Sequence, residues 1–253
     1  MSGRLAIVGL GPGDIAMQTP QATAALAAAT DLVGYATYLD RVPSRPGQVR
    51  HASDNRVELD RAQHALSLAS AGRAVAIVSS GDPGVFAMAS AVFEAVEHGK
   101  PAWRALDIVV VPGISAVFAA AARLGAPLGH DFCVLSLSDN LKPFDVVLAR
   151  LTAAASAGFV VALYNAASRA RPWQLGAALD ALRAILPAAT PVVLATAISR
   201  TDERIEVTTL LEVDPTRADM RTLVMIGSAA TRRIERDGTV PWLYTPRFHV
   251  AAT

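Results

Sequence analysis

The sequence predicts an α/β protein of two domains, with a parallel sheet in the N-terminal domain and a mixed sheet in the C-terminal one. Three observations predict it. Short, fully apolar runs alternate with helical segments: Leu5–Val8, Ala74–Val78 and Ile108–Val111 are β-branched-rich and bounded by turn residues. That is the pattern of parallel strands covered by helices. Each of these runs feeds a glycine- or proline-rich loop, Gly9–Asp14, Ser80–Phe86 and Pro112–Ala116. In a parallel sheet such loops share the edge where α/β proteins bind ligands. The last strand-like runs, Arg204–Leu210 and Thr222–Ile226, are separated by a piece too short for a helical crossover, so antiparallel pairing enters the second sheet.

The elements follow in order. After the first strand, Thr19-Pro20 starts an alanine-rich helix that ends near Ala29, with Thr19 as N-cap and Pro20 in the first turn. Asp31–Tyr35 is a short strand, and Thr37–Ser53, rich in Pro, Gly and Arg, is expected to be an exposed loop. Arg56–Ala71 has Leu59, Ala62, Ala65, Leu66 and Ala69 at helical spacing, and Gly72 ends it. The Ala74–Val78 strand then enters Ser79-Ser80-Gly81-Asp82-Pro83-Gly84-Val85-Phe86 and a helix to about Glu97. Ile108–Val111 is expected to be covered on both faces, and Ser115 can cap the helix after it. Gly125–Asp131 offers the best break, dividing the chain into domains 1–127 and 128–253. Beyond it lie Phe132–Leu137 (strand), Asp145–Ala155 (helix), Phe159–Tyr164 (strand), Pro172–Leu186 (helix) and Pro191–Ala197 (strand). The polar tail from Arg232 is expected to pack loosely or to serve an interface.

Composition narrows the function. Lys and Arg number 23 against 22 Asp and Glu, a formal charge of +1, which points to neither nucleic acid nor a membrane surface as partner. Only Lys100 and Lys142 are lysines; the other cations are arginines, whose forks suit carboxylates and phosphates. Cys133, the only cysteine, sits in a strand-like run and reads as a core thiol, so no intrachain disulfide or multi-cysteine metal site is expected. The N-terminus has no signal-peptide core and no run reaches transmembrane length, so a cytoplasmic location is expected.

The loops exclude two common chemistries. Gly9 and Gly11 fit the start of a dinucleotide fingerprint, but its sixth position is Asp14, a carboxylate that would repel a pyrophosphate. The ribose-binding acid is missing as well, because Asp31 begins the second strand rather than ending it, and no Gly-Lys-Ser/Thr makes a P-loop. A ligand with little or no negative charge fits this edge better. On the residues alone, the Ser79–Phe86 loop reads either as one wall of a ligand site or as a tight turn with Asp82 capping the next helix.

Val8-Gly9-Leu10-Gly11-Pro12-Gly13-Asp14, Gly81-Asp82-Pro83 and Val111-Pro112-Gly113-Ile114-Ser115-Ala116, in this order and spacing, resemble the signatures of the tetrapyrrole (precorrin) methyltransferases. The resemblance covers nearly the whole chain. It implies the two-domain tetrapyrrole methylase fold with the active site between the domains, S-adenosyl-L-methionine as methyl donor, no metal, and a homodimer. Further stretches resemble the branch acting on C17 of precorrin-3B: Gly34–Tyr38, His51–Arg56, Leu128–Cys133, Ser136–Pro143 and Ser168–Trp173. That branch implies methylation coupled to ring contraction, giving precorrin-4 in cobalamin biosynthesis. A cobalt-containing substrate, another ring carbon, or a non-catalytic binder of tetrapyrrole or donor stay open as alternatives.

By the resemblance, the donor contacts fall on Pro12, Gly81, Asp82, Val85, Ser115 and Ala116, with further contacts at Asn165 and Ala197. Ala166 stands where the branch has a proline, which leaves the path after Tyr164 open. The substrate carries many carboxylates, so Arg41, Arg45, Arg50, Arg56, Lys142, Arg169 and Arg171 are candidates to line its trough, solvated surface charge being the alternative for each. Ring contraction moves protons, and His51, Asp54, His130 and Asp139 are the candidates, with capping or loop hydrogen bonding as the alternative.

Overall fold

The computed structural model describes residues 3–54 and 57–248, and backbone contacts divide it into two compact units, Met1–Ser115 and Ala116–Thr253. This division falls before the helix that follows Ser115, whereas the break read from the sequence falls after that helix.

The first unit is built on a five-stranded sheet of β1 (Arg4–Gly9), β2 (Asp31–Tyr35), β3 (Val49–Ser53), β4 (Ala74–Ser79) and β5 (Asp107–Val111), in the order β3-β2-β4-β1-β5. Every pairing is parallel, as predicted. Alternation along the strands sorts the core into two layers. Leu5, Ile7, Val33, Val75 and Ile77 pack on α3 (Glu58–Ser70) and α4 (Met88–His98). Ala6, Val8, Leu32, Ala76 and Val78 pack instead with Ala22 and Leu26 of α1 (Pro20–Ala28) and Leu39 of α2 (Ala36–Leu39). Thr19 caps α1 as expected, its hydroxyl accepting from the Ala22 amide.

Three expectations are corrected here. The segment 37–53 is not a loop throughout: it contains the end of α2 and the edge strand β3. Val49-Arg50-His51-Ala52-Ser53 is too polar to read as a strand, because an edge position asks for little burial. Strand β5 is also an edge strand, with Val110 exposed, and is not covered on both faces. Leu59, placed on the buried face of α3 by its spacing, is exposed. Asn55 and Arg56 lie outside the described residues.

The second unit holds a mixed sheet of β7 (Phe132–Ser136), β8 (Val160–Tyr164), β9 (Pro191–Thr196), β10 (Arg204–Thr209) and β11 (Thr222–Ile226), in the order β10-β9-β11-β8-β7. Strands β7 and β8 are parallel, and β11 runs antiparallel to both β8 and β9. Strands β7, β8 and β9 therefore point the same way, and their C-terminal ends share one edge. One face packs on Val147 and Leu151 of α6 (Phe144–Ser156) and Leu175, Leu179 and Leu182 of α7 (Gln174–Arg183). Cys133 lies against this core, where burial pushes its thiol pKa up, so it has the character of a core thiol rather than a nucleophile.

Helix α5 (Ala116–Leu124) leads into β6 (Gly125–Ala126), which the tail completes into a small sheet in the order β12 (Arg232–Ile234), β13 (Trp242–Tyr244), β6. The tail is thus not loosely packed. Leu243 is buried, and the Thr245 hydroxyl donates to the Pro127 carbonyl and meets Thr231 in a buried pair. A Gly-Ala pair carries no local strand signal; only its distant partner, β13, makes it one.

At the N-terminal edge of the first sheet, Asp31 is buried and receives hydrogen bonds from Arg73 Nε at 2.7 Å, the Thr30 hydroxyl at 2.7 Å and His51 Nε2 at 2.9 Å. Burial alone would raise its pKa, but these donors and the charge of Arg73 outweigh it and lower the pKa from 3.8 to about 2. A carboxylate whose folded pKa is depressed stabilises the protein above its unfolded pKa and loses that contribution as pH falls through the folded one. Chemical denaturation of wild type and Asp31→Asn should therefore show the stability gap between them narrowing by roughly 2 kcal/mol as pH drops from about 5 to about 2. A gap that stays constant over this range would contradict the account.

Candidate functional site

Strands β4, β1 and β5 are neighbours, so their three loops emerge side by side at the C-terminal edge. The loops touch backbone to backbone. Gly11 and Gly81 form an antiparallel bridge, with amide-to-carbonyl distances of 3.2 and 2.9 Å, and Leu10 N donates to the Ser79 carbonyl. A Cβ built on Gly113 would lie 2.2 Å from the Gly81 carbonyl oxygen, and one on Gly9 would lie 2.6 Å from the same oxygen and 2.7 Å from Gly113 N. No side chain fits there. Gly81 also has φ +65°, a conformation L-residues disfavour.

Asp82 locks the arrangement. One carboxylate oxygen accepts from Gly84 N at 2.8 Å, within its own loop, and the other from Gly113 N at 3.0 Å, in the loop after β5. It does not cap the following helix: α4 begins at Met88 with Ala87 at the N-cap, and the Met88 amide is met by the Ser79 hydroxyl. Pro12 and Ser115 are buried, Val85 is half-buried, and Phe86 closes the loop at φ 51°. The first-unit donor candidates therefore stand on one loop edge.

In the second unit, the ends of β8 and β9 carry a comparable concentration of special backbone. Asn165 follows β8 at φ 54°, Ala197 follows β9 at φ 52°, and Ser199 has φ 64°. With Phe86, these are the positive-φ residues other than glycine in the described structure. Each costs on the order of 1 kcal/mol, strain that concentrates at functional sites. Asn165 is held from two sides: its Nδ2 donates to Ser136 Oγ at 2.9 Å, and Arg171 donates to its carbonyl at 3.0 Å. Ala166 is fully buried in the core and frees Asn165 from the restriction a following proline would impose. The turn after β9 is tied by Glu203, which accepts from Ser199 N and pairs with Arg123. Ala116 opens α5, whose Val117 amide donates to the Tyr164 hydroxyl at 3.0 Å.

The cationic candidates divide. Arg41 donates to the carbonyls of Leu10, Gly11 and Gly13 and to Ser80 Oγ. Arg50 donates to the carbonyls of Leu39 and Val42. Arg171 is buried, and besides the Asn165 carbonyl it meets Met220 Sδ. Each is engaged by its own unit's backbone. Arg45 is exposed. Lys142 is half-buried in the loop after β7, where burial and then the charge of Arg150 hold its pKa below the usual lysine value. Ser168 and Arg171 pair across a two-residue turn, leaving Arg169 exposed at its tip.

The proton-handling candidates are not brought together. His51 sits on Asp31, and its Nδ1 lies 3.1 Å from His64 Nε2, with its side chain at the edge opposite the glycine loops. Asp54 is exposed, and its carbonyl accepts from Arg61. His130 Nδ1 accepts from the next amide, at Asp131. Asp139 lies in the loop after β7 and accepts from Gln174 Nε2 at 2.9 Å. Gln174, Ser136 and Tyr164 support this edge without having been singled out from the sequence. A polar residue at the start of a helix or the end of a strand carries no distinguishing signal there.

The close glycine contact gives a direct test. Gly113→Ala should lower stability by more than about 2 kcal/mol in urea unfolding, because its methyl meets backbone that cannot move aside. Unchanged stability would show that the loops do not depend on this contact.

With the geometry established, comparison with known proteins places the chain. Residues 4–214 match the model of the Tetrapyrrole (Corrin/Porphyrin) Methylases. The chain is 56% identical over 253 residues, all of both chains, to a precorrin-3B C(17)-methyltransferase of Sinorhizobium sp. It is 43% identical over 230 residues to a "probable cobalt-factor III C(17)-methyltransferase" of Salmonella typhimurium, covering 90% of this chain and 93% of that one. A crystal structure of the methyltransferase CobJ superposes with a TM-score of 0.92 at 51% identity, covering 97% of this chain and 100% of the other. The chain is a member of the tetrapyrrole methylase family.

Proposed function

We propose that this protein transfers the methyl group of S-adenosyl-L-methionine to ring carbon C17 of precorrin-3B and couples the transfer to ring contraction, giving precorrin-4. The observation that carries this reading is the end-to-end 56% identity to a protein of that name, against 43% for the cobalt-factor III relative. The site chemistry supports it. The loop edge offers closely packed backbone and the carboxylates of Asp14 and Asp82, a setting that suits a sulfonium cation and disfavours a polyphosphate. The donor supplies an electrophilic methyl on a good leaving group, so no metal or protein nucleophile is required of the chain.

The residues that would hold the donor are Pro12, Gly81, Asp82, Val85 and Ser115 in the first unit, with Ala116, Asn165 and Ala197 in the second. Their task is orientation. Rigid backbone fixes where the reacting carbon and the methyl can meet, and alignment of that kind accounts for much of the rate in a transfer between two bound partners. Hydrogen bonds already made to Asp82 and Asn165 mean that little ordering is left to binding. Among the described candidates, Arg45, Lys142 and Arg169, which the backbone does not engage, are the cations available to the substrate's carboxylates. Among the proton-handling candidates, Asp139 stands on the same edge of its sheet as Asn165 and Ala197, which favours it over His51. The family resemblance also supports a cytoplasmic homodimer. Among the described residues no helix is long and apolar enough to cross a membrane.

Incubation with precorrin-3B and donor carrying an isotopically labelled methyl should place the label on C17 of a ring-contracted product, read by NMR and mass spectrometry. Turnover confined to a cobalt-containing substrate, or label on another ring carbon, would overturn the assignment.

A further inference from the structure

We propose that Arg41 is a positioning residue for the methyl donor, holding the first glycine loop in its binding shape, and not a contact for the substrate's carboxylates. The inference rests on the donor-site reading of the glycine loops. Arg41 follows α2, directly after β2, and β2 borders β4. Its side chain is thereby delivered to the C-terminal edge of the sheet, where the loops after β1 and β4 emerge.

The contacts are specific to that position. Nη2 donates to the carbonyls of Leu10 at 3.1 Å, Gly11 at 2.9 Å and Gly13 at 3.3 Å, while Nη1 donates to Ser80 Oγ at 3.0 Å. Gly11, at φ +72°, turns the chain so that these carbonyls converge. Converging carbonyl dipoles repel one another, and a cation set among them removes that cost. A guanidinium can reach the β1 loop and the β4 loop at once because its donors are held in a rigid fork. An ammonium places all its donors on one atom and cannot span both loops. The same loops carry Pro12, Gly81 and Asp82, so loss of Arg41 is felt by the donor while the substrate's cations stay in place.

Titration calorimetry with S-adenosylhomocysteine, paired with steady-state kinetics on precorrin-3B, tests this in wild type, Arg41→Ala and Arg41→Lys. Arg41→Ala should weaken S-adenosylhomocysteine binding and raise the donor KM by about tenfold or more, the loss expected for several charge-assisted hydrogen bonds. The KM for precorrin-3B should stay within about twofold, a change of well under 1.4 kcal/mol. Arg41→Lys should fall between the two, and ethylguanidinium in the buffer should restore part of the donor affinity of Arg41→Ala, which a general packing defect would not allow. If Arg41→Ala fails to fold, as judged by near-UV circular dichroism, Arg41→Lys carries the same comparison. A raised precorrin-3B KM with unchanged donor affinity, or no change in either, overturns the proposal. Wild type that binds no S-adenosylhomocysteine overturns the donor-site reading itself, and the proposal with it.

Discussion

The structure of the first unit depends on a contact that only backbone can make. Gly9, Gly81 and Gly113, from the loops after three neighbouring strands, approach so closely that a methyl added at Gly113 or Gly9 would fall 2.2 or 2.6 Å from the Gly81 carbonyl oxygen. Sheet order makes the approach possible, since β4, β1 and β5 are adjacent. Asp82 and Arg41 then fix the loops from two sides, the carboxylate accepting amides and the guanidinium donating to carbonyls. An edge built this way is rigid before anything binds. Rigidity of that kind suits a methyl transfer, in which the donor brings its own leaving group and the protein contributes alignment.

The second unit meets the same requirement by different means. In place of touching glycines it holds Asn165, Ala197 and Ser199 in left-handed backbone, each supported by a hydrogen bond or a tied turn. Arg171 is to Asn165 what Arg41 is to the first loop: a guanidinium turned inward onto a backbone carbonyl. Arginine lends itself to this use because its charge survives partial burial and its donors are pre-arranged.

Much of this was legible in the residues. The apolar runs of β1, β4, β8, β9 and β11 and the loops beside them could be read directly, because a parallel or central strand must be apolar on both faces and a tight loop needs glycine. Strands β3 and β6 could not: an edge strand tolerates Arg50 and His51, and Gly125-Ala126 becomes a strand only through pairing with Leu243 and Tyr244. The arginines illustrate the limit most clearly. Composition marks them as suited to carboxylates and phosphates, yet Arg41, Arg50 and Arg171 lie on backbone carbonyls, because the choice depends on which acceptors the fold brings within reach. Asp82 shows the same limit: a carboxylate before a helix reads as a cap, yet its partner Gly113 lies across the sheet edge.

The central claim is that the glycine-packed edge of the first unit is the donor site. A crystal structure of the protein with S-adenosylhomocysteine bound tests it most directly. The account predicts the ligand against Gly81, Asp82 and Ser115, with the Gly113 amide still on Asp82. A ligand seated away from these loops, or loops that separate to admit it, would contradict the account.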